Sequence, residues 1–154
     1  MGSGGRLSEV ERGAWVGFLR AHHVLVADLD DELRREHDLP LTAFDVLAQL
    51  DNAPERQLRM SELADAVLLS RSGLTRLVER LESRGLIERR ECTEDARGAF
   101  AVLTEKGEAR LRDARGTHLA GVRERFLERF DEQELRRLGQ LWERVLAGAN
   151  EDGS

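Results

Sequence analysis

Leu74, Leu77, Val78 and Leu81 recur at i, i+3, i+4 and i+7, the period of one face of a helix. The spacing predicts a helix of about four turns that begins at Arg71, with Ser70 as its N-cap and Leu69 and Leu74 stapled across the cap. Ser72, Thr75, Arg76 and Arg80 then face solvent. Gly85 ends the helix in a left-handed cap, with Leu86 as the apolar residue that follows such a cap. Upstream, Ser61 reads as the cap of a shorter amphipathic helix carrying Glu62, Leu63, Ala64 and Val67. The few residues from Val67 to Ser70 fit the tight turn of a helix-turn-helix. Downstream, residues 86–92 and 98–103 read as two strands around a polar tip, 93–97, and Leu58, Arg59 and Met60 add a third strand. That order is a winged helix-turn-helix, whose second helix enters the DNA major groove.

The flanks carry a different pattern. From Leu7 to about Glu36 one helix places Trp15, Phe18, Leu19, His22, Leu25, Val26, Leu29 and Leu33 on one broad face, and Pro40 marks its end. Leu41 and Val46 staple around a Thr42 cap, with Asp45 at the third helical position and Leu47 and Leu50 inward. A further helix opens at Thr104 and runs to about Phe130. Asp131 and Glu134 form a capping box for a last helix with Leu135, Leu138, Leu141, Trp142, Val145 and Leu146. Helices from the two ends carry more apolar surface than one lobe covers, which predicts pairing with a second copy. The fold class is therefore mainly α with a small β-wing, in a single domain, 7–150. Residues 41–104 form the reader, 7–38 and 105–149 dimerise, and 1–6 and 150–154 are a flexible leader and a tail.

Composition adjusts this picture at three points. The 154 residues suffice for one domain, and no apolar run approaches a membrane span. No signal peptide is visible, and a single cysteine makes no internal disulfide, so a cytoplasmic location is expected. A net charge of −6 is awkward for a DNA binder, but between Ser70 and Arg90 six Arg face three acidic residues, a local +3. Phosphate contacts dominate affinity, so the local charge decides. Arg89, Arg90 and Arg97 put three guanidinium groups in the hairpin, where their forks suit phosphate and a narrow minor groove.

With these residues assembled, the stretch 60–104 resembles the DNA-binding lobe of the MarR family of bacterial transcriptional regulators. The matching residues are Ser61 to Ala64, Ser70 to Ser72 with Thr75, Arg76, Leu77 and Leu81, then Gly85 to Ile87, and Asp95 to Arg97 closing on Leu103 and Thr104. The resemblance extends more loosely over most of the chain. It implies that Asp95 holds Arg97 and that Arg97 enters the minor groove. It also implies a homodimer joined through its two ends, double-stranded DNA with a pseudo-palindromic operator as partner, and repression. Cys92 departs from the pattern, since relatives often carry an acidic residue there. The DNA-contacting set is thus Ser61, Ser70, Arg71, Ser72, Thr75, Arg76, Arg80, Arg89, Arg90, Asp95 and Arg97.

Members of the family commonly release DNA when a small aromatic or phenolic acid binds, and no ligand motif transfers by match. Among the residues themselves, Trp15, Phe18 and His22 share one stripe with His23 at its edge, and Phe44 and Asp45 are candidates to face the same cleft. An aromatic floor with an imidazole suits an aromatic carboxylate. The competing reading makes Trp15 and Phe18 core, His22 a hydrogen-bonded core histidine and Asp45 a cap. Two other sensing chemistries stand behind. Cys92 is a redox candidate whose thiol Arg89 and Arg90 would acidify, and His22, His23, His37 and His118 are metal-ligand candidates without tight spacing. No cofactor is expected. Catalysis is not expected either, since the nucleophile elbow, zinc-hydrolase and phosphate-loop motifs are absent. A winged helix that docks protein is the remaining alternative, and it would favour apolar residues where Ser72, Thr75 and Arg76 stand.

Overall fold

The computed structural model describes residues 5–67, 69–91 and 98–151. Its elements in chain order are α1 (Glu9–His37), α2 (Leu41–Asn52), a 3-10 turn (Pro54–Arg56), β1 (Gln57–Arg59), α3 (Met60–Ala66), α4 (Arg71–Ser83), β2 (Ile87–Glu91), β3 (Ala99–Leu103), α5 (Glu105–Arg125), a second 3-10 turn (Leu127–Arg129) and α6 (Glu132–Glu151). The strands form an antiparallel sheet in the order β1, β3, β2. The chain divides into two compact units, one up to His118 and one from Leu119.

The first unit holds one core. Leu33 of α1, Leu39, Val46, Leu47 and Leu50 around α2, Leu63 of α3, and Leu86 and Ile87 entering β2 are all buried there. The α4 stripe joins them, with Leu74, Leu77, Val78 and Leu81 all buried. Burying such a side chain stabilises by roughly 1.5–3 kcal/mol, and four on one face fix the rotation of α4 about its axis. The opposite face, carrying Ser72 and Arg76, is thereby held outward.

The ends of α4 are as its sequence predicts. The Ser70 Oγ accepts the Gly73 N–H at 3.1 Å. Gly85 takes φ of 72°, its N–H donates to the Glu82 carbonyl, and the Leu86 N–H donates to the Leu81 carbonyl at 2.9 Å. This is a Schellman closure, and the positive φ is why glycine stands there. The start of α5 is pinned to the same cap. Thr104 Oγ1 donates to the Gly85 carbonyl at 2.7 Å, and Lys106 Nζ donates to the Arg84 carbonyl at 2.8 Å. A Cβ on Gly107 would lie 2.1 Å from the Leu86 carbonyl oxygen, so only glycine permits this approach.

Several expected boundaries differ, and one cap role with them. Ser61 lies inside α3, which Arg59 precedes, and the Arg59 N–H is taken by Glu62 at 3.0 Å. Thr42 lies inside α2, whose cap position is Pro40; proline has no side-chain acceptor, so α2 is capped from elsewhere. With that start Asp45 is the fifth helical residue and caps nothing. Finally, α5 ends at Arg125, and a 3-10 turn precedes Phe130.

The second unit contains the last turns of α5, the 3-10 turn and α6. Asp131 and Glu134 make the expected capping box, with hydrogen bonds of 2.9 and 2.8 Å. The Phe126 and Phe130 rings meet edge to face with centroids 5.2 Å apart. Leu141, Trp142, Val145 and Leu146 of α6 are exposed. Among the described residues no helix is long and apolar enough to cross a membrane.

Candidate nucleic-acid interface

The proposed reading face is built on α4. Arg71, Ser72, Arg76 and Arg80 are exposed, and Ser70 and Ser72 hydroxyls lie 3.3 Å apart at the helix start. The Thr75 hydroxyl donates to the Arg71 carbonyl at 2.9 Å, which leaves its oxygen lone pairs and methyl group as its outward chemistry. Among the described residues, Arg71, Arg76 and Arg80 have no carboxylate partner, so their N–H edges are available to an external anion. Ser61 is exposed near the start of α3 and lines, with Arg59, Arg71 and Thr75, a cleft of about 330 Å³.

The two described hairpin arginines are placed differently from that set. Antiparallel register pairs Arg89 with Ala101 and Arg90 with Phe100. Arg89 is exposed, and its Nε donates to Glu82 of α4 at 2.8 Å. Arg90 reaches Glu88, two residues back on its own strand, at 3.0 Å. Both charges are thus compensated within the protein. Asp95, Arg97 and Cys92, with the rest of the tip, lie outside the described residues.

The sequence passes over Arg59. It stands opposite Phe100 in the β1–β3 register, and its guanidinium carbon lies 5.4 Å from the Phe100 ring centroid. Phe100 is therefore flanked by Arg59 on one strand and Arg90 on the other, in one cross-strand row. The available signal was a basic residue immediately before α3, facing an aromatic on the neighbouring strand.

The candidate ligand residues fall into two groups. Trp15, Phe18 and His22 do form one stripe, with ring centroids 6.2 and 6.3 Å apart. Trp15 is 55% and Phe18 41% exposed, and His22 and His23 are exposed too, so within one chain the stripe is not part of the core. Phe44 is buried, with its ring 4.4 Å from that of His118 rather than against Trp15 or His22. Asp45 is half-buried, and burial pushes its carboxyl above the usual range. The His118 Nδ1 is buried with no hydrogen-bond partner among the described residues, and burial pushes that imidazole below its ordinary value. His37 Nε2 meets Thr117 Oγ1 at 2.7 Å. Among the described residues, no three His, Cys, Asp or Glu side chains gather as a metal site.

Known proteins resemble this arrangement closely. A MarR family model matches residues 37–98. The transcriptional repressor MprA of Escherichia coli is 42% identical over 72 residues, 47% of this chain and 41% of MprA, so the match spans less than half of that relative. An HTH-type transcriptional regulator of Bacillus cereus is 32% identical over 117 residues, 76% of each chain. Among solved structures, Sco3205, a MarR family transcriptional regulator from Streptomyces coelicolor in complex with DNA, superposes with a TM-score of 0.89 at 33% identity. That superposition covers 94% of this chain and 91% of Sco3205.

Proposed function

The chain belongs to the MarR family of transcriptional regulators, and from that premise we propose that it is a cytoplasmic, homodimeric, sequence-specific DNA binder that represses by occluding a promoter. The observation that carries this reading is α4 itself: a capped helix locked by four buried side chains, with Arg71, Arg76 and Arg80 exposed and without a carboxylate partner among the described residues. Ser72, Thr75 and Arg76 offer donors, acceptors and a methyl group to base edges, and Arg71 and Arg80 suit phosphates. Sco3205, similar over nearly the whole chain, was solved in complex with DNA, which supports DNA as the partner. Arg97, oriented by Asp95, is assigned to the minor groove on the family pattern.

Dimerisation is supported by apolar side chains left at the surface of each terminal helix. These include Val10, Trp15, Val16 and Leu19 on α1, and Val145 and Leu146 on α6. A two-fold axis through such helices presents two copies of α4 about one DNA turn apart, which calls for a pseudo-palindromic operator. Release is assigned to a small aromatic or phenolic acid that stabilises a half-site spacing other than the one DNA selects. The aromatic stripe Trp15, Phe18 and His22 is the assigned floor for that ligand.

The test is a mobility shift on duplex DNA from the region upstream of the chain's own gene, titrated with salt. Tight binding that weakens steeply between about 50 and 200 mM salt is expected. Absence of binding, or binding indifferent to salt, overturns the reading. A Trp15→Ala, His22→Ala variant that still releases DNA with the inducer found by thermal-shift screening overturns the ligand assignment alone.

A further inference from the structure

We propose that Arg59 is a DNA-backbone contact, held ready by Phe100, which brackets one phosphate together with Arg71 at the cleft between α3, α4 and the sheet. The inference rests on the DNA-binding reading above and adds a residue outside the helix-turn-helix to it. Arg59 and Arg71 line the same cleft with the Ser61 hydroxyl, and among the described residues no acidic side chain lines it. Two guanidinium groups and a hydroxyl make an anion site, and the anion that a DNA-reading face meets is a backbone phosphate.

The geometry of Arg59 suits this task. A guanidinium over a ring uses its flat face for the aromatic contact and leaves its N–H edge free for a bidentate bond. Its main chain is fixed twice, by the β1–β3 register and by the bond of its N–H to Glu62. Arg90, on the other side of Phe100, is engaged by Glu88, whereas Arg59 has no carboxylate partner among the described residues. Phe100 is thus a positioning residue and Arg59 the contacting one.

The experiment is fluorescence anisotropy on the upstream fragment across salt, with wild type, Arg59→Ala, Arg59→Lys and Phe100→Leu. Loss of one phosphate contact lowers the slope of log K against log salt by ~0.9. Arg59→Ala is expected to show that drop with about a tenfold weaker affinity at intermediate salt. Arg59→Lys keeps the wild-type slope at reduced affinity, since the charge persists without the fork. Phe100→Leu also keeps the slope while weakening binding. Arg59→Gln, which keeps a long stem over Phe100, replaces alanine if thermal melting shows that variant unfolded. Wild-type affinity and slope in the neutral variant overturn the inference and leave the DNA-binding reading standing. A lysine variant that loses the slope equally also overturns it. Failure of the wild type to bind any duplex removes both readings.

Discussion

Asp30 of α1 accepts the N–H of Leu41, the first residue of α2, at 2.8 Å. Proline at the cap position offers no acceptor, so a carboxylate eleven residues upstream does the work that the sequence assigns to Thr42. The same side chain takes the Arg34 Nε at 2.6 Å. Burial opposes its ionisation, but the Arg34 hydrogen bond, the Leu41 N–H and the Arg34 charge together outweigh burial and hold the carboxyl below its usual range. A depressed carboxyl contributes stability that is present above its unfolded value and lost as pH falls through the folded one. Asp30→Ala is expected to cost about 1–2 kcal/mol at neutral pH, measured by urea unfolding, with the deficit shrinking in acid. An equal deficit at pH 7 and at pH 2.5 would contradict this account.

Asp45 makes the opposite case. It caps nothing, and burial alone raises its carboxyl, so the folded state favours the protonated form. Its contribution is fully present below the unfolded value and falls away as pH rises through the folded one. Asp45→Asn should therefore stabilise the protein at pH 7 and leave it unchanged near pH 3. Denaturation midpoints at both values check it, and a destabilised amide variant at pH 7 would point to a partner outside the chain.

What is legible in the sequence follows from how locally each feature is determined. The α4 stripe, the Ser70 cap, the Gly85 closure and the Asp131 to Glu134 box each involve residues no more than seven positions apart, and all appear in the structure. Asp30 on Leu41, Arg89 on Glu82 and Arg59 on Phe100 depend on elements that meet only after folding. Charge patterning counts arginines but does not see which are compensated. That is why Arg89 and Arg90 stand out in the sequence while Arg59 does not.

His118 carries a pH dependence of its own. Its Nδ1 is buried with no partner among the described residues, its ring packs on Phe44, and burial depresses its pKa. The unfolded chain binds a proton more readily, so stability is full above about pH 6.5 and declines as pH falls below it toward the folded value. His118→Leu keeps the contact with Phe44 and removes the titration. The difference in stability between pH 7.5 and 5.5 should shrink in that variant, and an unchanged difference would exclude His118 as its source.

The terminal helices offer a test of pairing. Trp15 on α1 and Leu146 on α6 are 55% and 63% exposed, and a charge at either position is harmless on a free surface. In an apolar interface the same charge must be desolvated without a partner. Trp15→Glu or Leu146→Glu is expected to shift sedimentation from dimer toward monomer and to weaken operator binding, with helix content kept. Unaltered sedimentation of both variants would move the interface elsewhere.

Arg76 and Arg89 separate a free charge from a compensated one. Arg76 is exposed on α4 with no carboxylate partner among the described residues, whereas Arg89 is joined to Glu82 of α4. An arginine that reads a base edge is worth ~1–3 kcal/mol of binding and of discrimination. Arg76→Ala should therefore weaken operator binding by about tenfold or more and flatten the preference for operator over scrambled sequence. Arg89→Ala removes a surface ion pair worth ~0–1 kcal/mol and should leave that preference intact. Competition binding with both duplexes distinguishes the two variants. A larger loss of discrimination at Arg89 than at Arg76 would mean that the ion pair with Glu82 opens on DNA and that the hairpin, not α4, reads the sequence.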